Sequence, residues 1–269
     1  DHNRVHLEEI TGVANSDYIN ASHVKGVKGR RYIATQGPTI ETVDDFWRMV
    51  WEQNVNRIVM LTNVVEKGVG KCTQYWPERN DMRCENFRIK FCSEDEGSDS
   101  TTRQFELSKI GSQVVSRQLT QYHYTTWPDS SVPSDPKVVL KFLKEAVLNA
   151  KTKNPIIVHC NAGVGRTGIL IALDHLLEEA DKDKGVNVFA CVRSLRESRM
   201  CMVESLMQYQ FLHRVLLQAY YMGYTSLSNS SHFKPPGINH DYLVLKSLST
   251  NDDYVLPNPA TTNDDYLVR

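Results

Sequence analysis

Three features of the sequence predict an α/β fold, a twisted mixed β-sheet flanked by α-helices. The first is a strand–loop–helix order: the apolar Pro155-Ile156-Ile157-Val158, a glycine-bearing stretch over 159–168, then Ile169 to Leu177 at amphipathic spacing. The second is the β-rich run from Cys84 to His123, whose alternating segments call for antiparallel neighbours. The third is a set of helical patterns at Thr42 to Gln53, Pro136 to about Ala150, and Leu206 to about Met222.

In chain order, Asp17-Tyr18-Ile19-Asn20-Ala21-Ser22 and Arg31-Tyr32-Ile33-Ala34-Thr35 read as strands around a glycine turn at 26–29. Gln36-Gly37-Pro38 ends the second. Phe46, Trp47, Val50 and Trp51 then mark the core face of the first helix. Arg57 to Leu61 is a central-strand candidate. Beyond it, taken as bare residues, Glu66 and Lys71 form a solvated charge pair on a loop. Phe87 to Phe91 and Thr102 to Leu107 alternate, and Gln113 to Tyr124 continues the sheet past a turn at Gly111. Pro128 and Pro133 keep 125–133 from running on as strand. Ser134 is the expected cap of the helix that Pro136 opens. Val186 to Leu195 is a further short helix. Arg196 and Arg199, as bare residues, are surface charges.

The 269 residues allow one large or two small domains, and a net charge of −1 argues against a nucleic-acid or membrane-surface partner. No run approaches the roughly 18 apolar residues of a membrane span. The six cysteines (72, 84, 92, 160, 191, 201) form no CxxC pair and no short-protein disulfide pattern, so a reducing, cytoplasmic setting is expected. The first residues lack signal-peptide character, and without a starting methionine the sequence reads as an excerpt of something longer.

The chemistry concentrates in His159-Cys160-Asn161-Ala162-Gly163-Val164-Gly165-Arg166-Thr167-Gly168. A loop between a strand and a helix N-terminus aims several backbone N–H groups into one concavity, which suits a tetrahedral dianion. Its glycines permit the turns and the close approach. Arg166 can fork onto phosphate oxygens. A site built for negative charge favours Cys160 as the thiolate, a nucleophile aimed at the phosphorus held there.

His-Cys-x-Ala-Gly-x-Gly-Arg-Thr-Gly resembles the signature loop of the cysteine-based protein tyrosine phosphatases, in their tyrosine-specific branch. The resemblance covers about residues 1 to 224 and includes D-Y-I-N-A-S and T-Q-G-P followed by D-F-W-R-M-V-W-E. It implies the highly twisted mixed sheet of that family and hydrolysis of phosphotyrosine on proteins, with no metal and no cofactor. Cys160 would attack. Arg166 and the loop residues Asn161, Ala162, Gly163, Val164 and Gly165 would hold the phosphoryl oxygens. Asp129, in Trp127-Pro128-Asp129 and 31 residues before Cys160, matches the family's mobile acid. It would protonate the leaving phenol and return as base toward water. By the same resemblance His159 orients the loop and helps hold the thiolate, and Thr167 donates to the sulfur. Glu66 braces Arg166, Lys71 lies near the acid loop, and Arg196 and Arg199 are the paired arginines behind the phosphate site.

Four departures from the family pattern stand out. Glu204, in Val203-Glu204-Ser205, replaces a glutamine that positions the hydrolytic water. A carboxylate there adds negative charge beside a phosphoryl group, so breakdown of the intermediate is expected to slow. Ser130-Ser131 replaces an aromatic or histidine followed by glycine, and loss of the glycine is expected to stiffen loop closure. Asn161 replaces serine. The family's Asn-Arg-Tyr segment, whose tyrosine grips the substrate ring, does not stand before Asp1: either the sequence begins after it, or this protein grips tyrosine poorly. Glu204, Ser131 and the missing front segment favour an alternative reading, a catalytically weak phosphatase-like domain that captures phosphotyrosine proteins, such as a pseudophosphatase or the second domain of a tandem receptor phosphatase. The intact cysteine, arginine and aspartate favour the enzyme. A dual-specificity phosphatase is disfavoured by the long tyrosine-specific framework. The chain would then be cytoplasmic, or the cytoplasmic portion of a receptor.

From Thr225 the composition turns to Ser, Asn and Pro, and a period of 12 appears around Tyr242, Tyr254 and Tyr266. Three such repeats cannot bury a core, so residues 225–269 are expected to be a flexible tail. Each tyrosine follows an acidic residue and precedes two aliphatics. This resembles tyrosine-kinase targets and docking sites for phosphotyrosine-binding domains.

Overall fold

The computed structural model describes residues 2–111, 116–182 and 186–224. Its strands are β1 (Arg4–His6), β2 (Tyr18–Lys25), β3 (Arg31–Thr35), β4 (Arg57–Met60), β5 (Val65–Glu66), β6 (Val69–Gly70), β7 (Met82–Cys84), β8 (Phe87–Glu96), β9 (Ser100–Lys109), β10 (Arg117–Tyr124) and β11 (Ile156–His159). The helices are α1 (Val43–Glu52), α2 (Pro136–Leu143), α3 (Gly165–Lys182), α4 (Val188–Ser198) and α5 (Leu206–Tyr221). Among the described residues nine strands form one sheet, ordered β1-β2-β3-β11-β4-β10-β9-β8-β7, while β5 and β6 pair as a separate hairpin.

The middle of the sheet is parallel. β11 runs alongside both β3 and β4, and β4 alongside β10; the outer pairings are antiparallel. Ile156, Ile157 and Val158 are all fully buried, the continuous apolar run expected of a strand covered on both faces. Period-two alternation divides them. Ile156 and Val158 join the core shared with α2 to α5, whereas Ile157 joins the core under α1 with Ile58, Met60 and Phe105.

Register brings the parallel strand ends together: His159 lies opposite Thr35 and Met60, and Met60 opposite His123. The loops after β3, β4, β10 and β11 therefore open on one edge of the sheet. In open α/β sheets that is where ligands bind.

Several expectations are refined. The strand predicted from Asp17 begins at Tyr18 and runs on to Lys25. The strand predicted from Gln113 begins at Arg117 among the described residues. The helix after the loop starts at Gly165, four residues early, because the loop itself supplies its first turn. α2 is capped by Asp135, not Ser134; the Asp135 carboxylate accepts the Lys137 N–H at 2.9 Å. Its predicted length to Ala150 is broken at Leu143, where a π-helical turn over Lys144–Leu148 takes over. No helix among the described residues is long and apolar enough to cross a membrane. The tail repeats with Tyr242, Tyr254 and Tyr266 lie outside the described residues.

Candidate active site

The backbone of 160–164 has each of its carbonyls tied to a partner. Cys160 O meets His159 Nδ1 at 3.2 Å, and Asn161 O accepts the Gly37 N–H at 2.8 Å. Ala162 O and Gly163 O accept from the Arg199 guanidinium at 3.2 and 3.0 Å, and Val164 O accepts from Val203 and Gly168. With the carbonyls held this way, the amide N–H groups turn toward the concavity at the start of α3, an anion nest. Gly163 has φ +73°, and a Cβ there would run into the Thr35 carbonyl, so glycine is required twice over.

Cys160 is buried beneath this loop, with the Thr167 hydroxyl donating to its sulfur at 3.3 Å. His159 plays a narrower part than expected. Both its ring nitrogens are engaged, Nε2 with the Tyr75 hydroxyl at 2.8 Å and Nδ1 with the Cys160 carbonyl. Complete burial pushes its pKa down to about 4, so near neutral pH the ring carries no charge to offset a thiolate. It fixes the loop's first carbonyl instead.

Arg166 is held from three sides. NH1 donates to Leu61 O at 2.9 Å and to Glu66 Oε1 at 2.6 Å; NH2 donates to Glu66 Oε2 at 2.7 Å and to Pro128 O at 3.3 Å. The remaining N–H, on Nε, shares an edge with NH2, whose bond to Pro128 is the longest of the four. That edge is the one open to a phosphate. Glu66 and Lys71 do not pair with each other as the sequence suggested. The β5–β6 hairpin buries Glu66 against Arg166, whereas Lys71 Nζ reaches Asp129 Oδ1 at 3.0 Å. Burial raises the Glu66 pKa, but the Arg166 fork, the Asn63 amide and the Thr62 hydroxyl outweigh it and leave the carboxyl below its usual value.

The acid loop lies over the site. Pro128 O is bonded to Arg166, and Asp129 Oδ1 stands 3.9 Å from Arg166 NH2. The hydrogen bond from Lys71 holds the Asp129 pKa below the usual carboxylate value. Left-handed backbone falls on Ser130, with φ 55°, so the missing glycine at 131 costs no such strain there. Ser131 O instead accepts the Trp127 indole N–H at 3.1 Å and pins the loop.

Arg196 and Arg199 are also not free surface charges. Arg196 donates to Met202 O and Val203 O at 3.0 and 2.9 Å, and Arg199 adds Ser22 and Asn20 to the loop carbonyls. Val203 has φ 58°, costly for a β-branched residue by about 1–3 kcal/mol. Arg196 and the Val164 carbonyl hold it there and aim Glu204 at the site.

These groups surround a cavity of about 230 Å³ lined by Cys160, Arg166, Asp129, Lys71 and Glu204, among others. Three lining residues were not anticipated: Thr62, Met207 and Gln208. Gln208 Oε1 accepts the Glu204 N–H at 2.8 Å, and a Cβ on Gly165 would lie 2.7 Å from its Nε2. A signal was readable in Ser205-Leu206-Met207-Gln208, a capping-box pattern; Ser205 Oγ accepts the Gln208 N–H.

A family model described as protein-tyrosine phosphatase matches residues 1–218. Over 236 residues the chain is 42% identical to human receptor-type tyrosine-protein phosphatase alpha, covering 86% of this chain and 29% of that protein. It is 44% identical over 237 residues to mouse receptor-type tyrosine-protein phosphatase epsilon, covering 86% and 34%. It is 42% identical over 235 residues to tyrosine-protein phosphatase 69D of Drosophila melanogaster, covering 84% and 16%. The chain thus spans at most 34% of the length of these relatives. The nest over a buried cysteine, the braced arginine and the aspartate on a loop above them occur in a sequence matched by that model over four-fifths of its length, and the chain belongs to the protein-tyrosine phosphatase family.

Proposed function

We propose that this domain hydrolyses phosphotyrosine esters on proteins through a phosphocysteine intermediate. The observation that carries this is Cys160 at the floor of a cavity shared by Arg166 and Asp129. The Cys160 thiolate attacks phosphorus while the bond to the tyrosyl oxygen breaks, and Asp129 gives its proton to that oxygen. Arg166 and the loop amides carry the charge of the equatorial oxygens in flight. Water then attacks the phosphocysteine, its proton passes to Asp129, and the S–P bond breaks to return thiolate and release phosphate.

Two neighbours tune these steps. A bound phosphate dianion opposes ionisation of Asp129, against the pull of Lys71. Lys71→Met removes that cation and raises the Asp129 pKa. The alkaline limb of the pH profile of the burst rate, which follows the first step and falls where the acid loses its proton, is expected to move to higher pH. A limb that stays in place would show that Lys71 does not set the acid. Glu204 lines the same cavity, and we infer that its carboxylate slows the second step.

Rapid-quench kinetics with p-nitrophenyl phosphate tests both ideas. Expected is a burst of one nitrophenol per Cys160 followed by slower turnover, with Glu204→Gln raising the steady rate and shrinking the burst. Nitrophenol release no greater than that of Cys160→Ser would overturn the phosphatase reading. A wild-type enzyme that turns over without a burst would overturn the role given to Glu204.

All six cysteines are free, which supports a reducing, cytoplasmic working environment. Phosphotyrosine proteins are the proposed substrates. The acidic-flanked Tyr242, Tyr254 and Tyr266 are proposed as kinase targets whose phosphates recruit phosphotyrosine-binding domains.

A further inference from the structure

The phosphate end of the cavity is polar by necessity, but a phosphotyrosyl ring standing above it needs a nonpolar face. The described lining offers little of one. The acid loop presents Ser130 and Ser131, and Asn161, Glu204, Ser205 and Gln208 are polar as well. Met207 is the one long apolar side chain among the described lining residues. It stands in the first turn of α5, and its sulfur is 3.7 Å from Ser131 Oγ on the acid loop.

Met207 is not part of the face that the helix buries. α5 buries Phe211, Leu212, Val215, Leu216 and Ala219 as its core face, and Met207 is left 46% exposed at the cavity rim. An unbranched thioether adapts its shape, and sulfur beside a ring edge is a favourable contact. Gln208, next in sequence, is engaged by the Glu204 amide.

We propose that Met207 is a specificity-determining residue, its side chain forming a wall against the aryl ring and so favouring phosphotyrosine over alkyl phosphates. This rests on the phosphatase reading above and assigns the ring contact to α5 in place of the acid-loop serines. A wall acts on aryl ligands alone. A residue that merely steadies the acid loop through Ser131 would affect every phosphate ester alike.

The test uses the Cys160→Ser protein, which binds without turnover, and titrates phenyl phosphate and ethyl phosphate by calorimetry with and without Met207→Ala or Met207→Leu. Met207→Ala is expected to weaken phenyl phosphate roughly four- to fifteenfold, the worth of one to two methylene groups buried against the ring, and to leave ethyl phosphate within about twofold. Met207→Leu, which keeps an apolar side chain, is expected to recover most of the loss. Equal weakening of both ligands, or no change in either, would overturn the wall. Failure of the phosphatase reading looks different: the wild type would bind phenyl phosphate and release no phenol, while the ratio of the two affinities still reports on Met207. Binding of neither ligand would overturn both.

Discussion

Arg166→Lys is expected to lower kcat/KM for an aryl phosphate by about a thousandfold, the lower end of what an arginine contributes when it carries transition-state charge in phosphoryl transfer. A lysine keeps the charge but not the fork. Arg166 serves Glu66, Leu61 and Pro128 with four bonds while keeping its Nε edge for substrate. An ammonium has three N–H groups on one nitrogen and cannot brace and bind at once. Three losses follow together: the Nε–H grip on a phosphoryl oxygen, the tie that holds the acid loop through Pro128, and the paired state of the buried Glu66 carboxylate. Steady-state kinetics alongside vanadate inhibition checks the expectation, since both substrate turnover and oxyanion affinity should fall. A loss under tenfold with vanadate binding intact would remove Arg166 from the chemistry.

Asp129→Asn is expected to cost about 10²- to 10⁴-fold in kcat with phenyl phosphate, the usual worth of a positioned acid. An amide keeps the shape of the loop but has no proton to give. The loss should shrink for aryl phosphates whose phenols are strong acids, because such leaving groups depart without help. The alkaline limb of the pH profile of the first step, read as phenol release in a single turnover, should also vanish, since its titrating group is gone. Equal losses for good and poor leaving groups would instead point to a displaced loop. The two variants are not expected to add, because Pro128 O ties the acid loop to the same guanidinium.

What could be read in advance divides along physical lines. Strand–loop–helix around Cys160 was legible because local signals agree there: an apolar run, glycines at the turn, then helical spacing. The cap of α2 was missed by one residue, although proline at the first helical position points to Asp135 as its neighbour. Glu66 and Lys71 were not legible as bare residues. They are five apart on a short hairpin, and only tertiary structure sends one to Arg166 and the other to Asp129. Only the family resemblance had placed them there. At Ser130-Ser131 the positive φ falls on Ser130, one residue before the position where glycine was expected, and serine gives no sequence signal for it. Met207 and Gln208 escaped notice because their helix begins some 40 residues beyond the loop it overlooks, in a stretch that reads as plain amphipathic packing.

One feature of the sheet bears on how this domain fails. The strand that delivers Cys160 is clamped between two cores, with three strands of the sheet on one side of it and five on the other. Fraying of β1 or β7 at the rims leaves it untouched. The strand behind the sulfur therefore loosens only when the whole assembly comes apart, and heat inactivation coincides with the collapse of tertiary structure instead of preceding it.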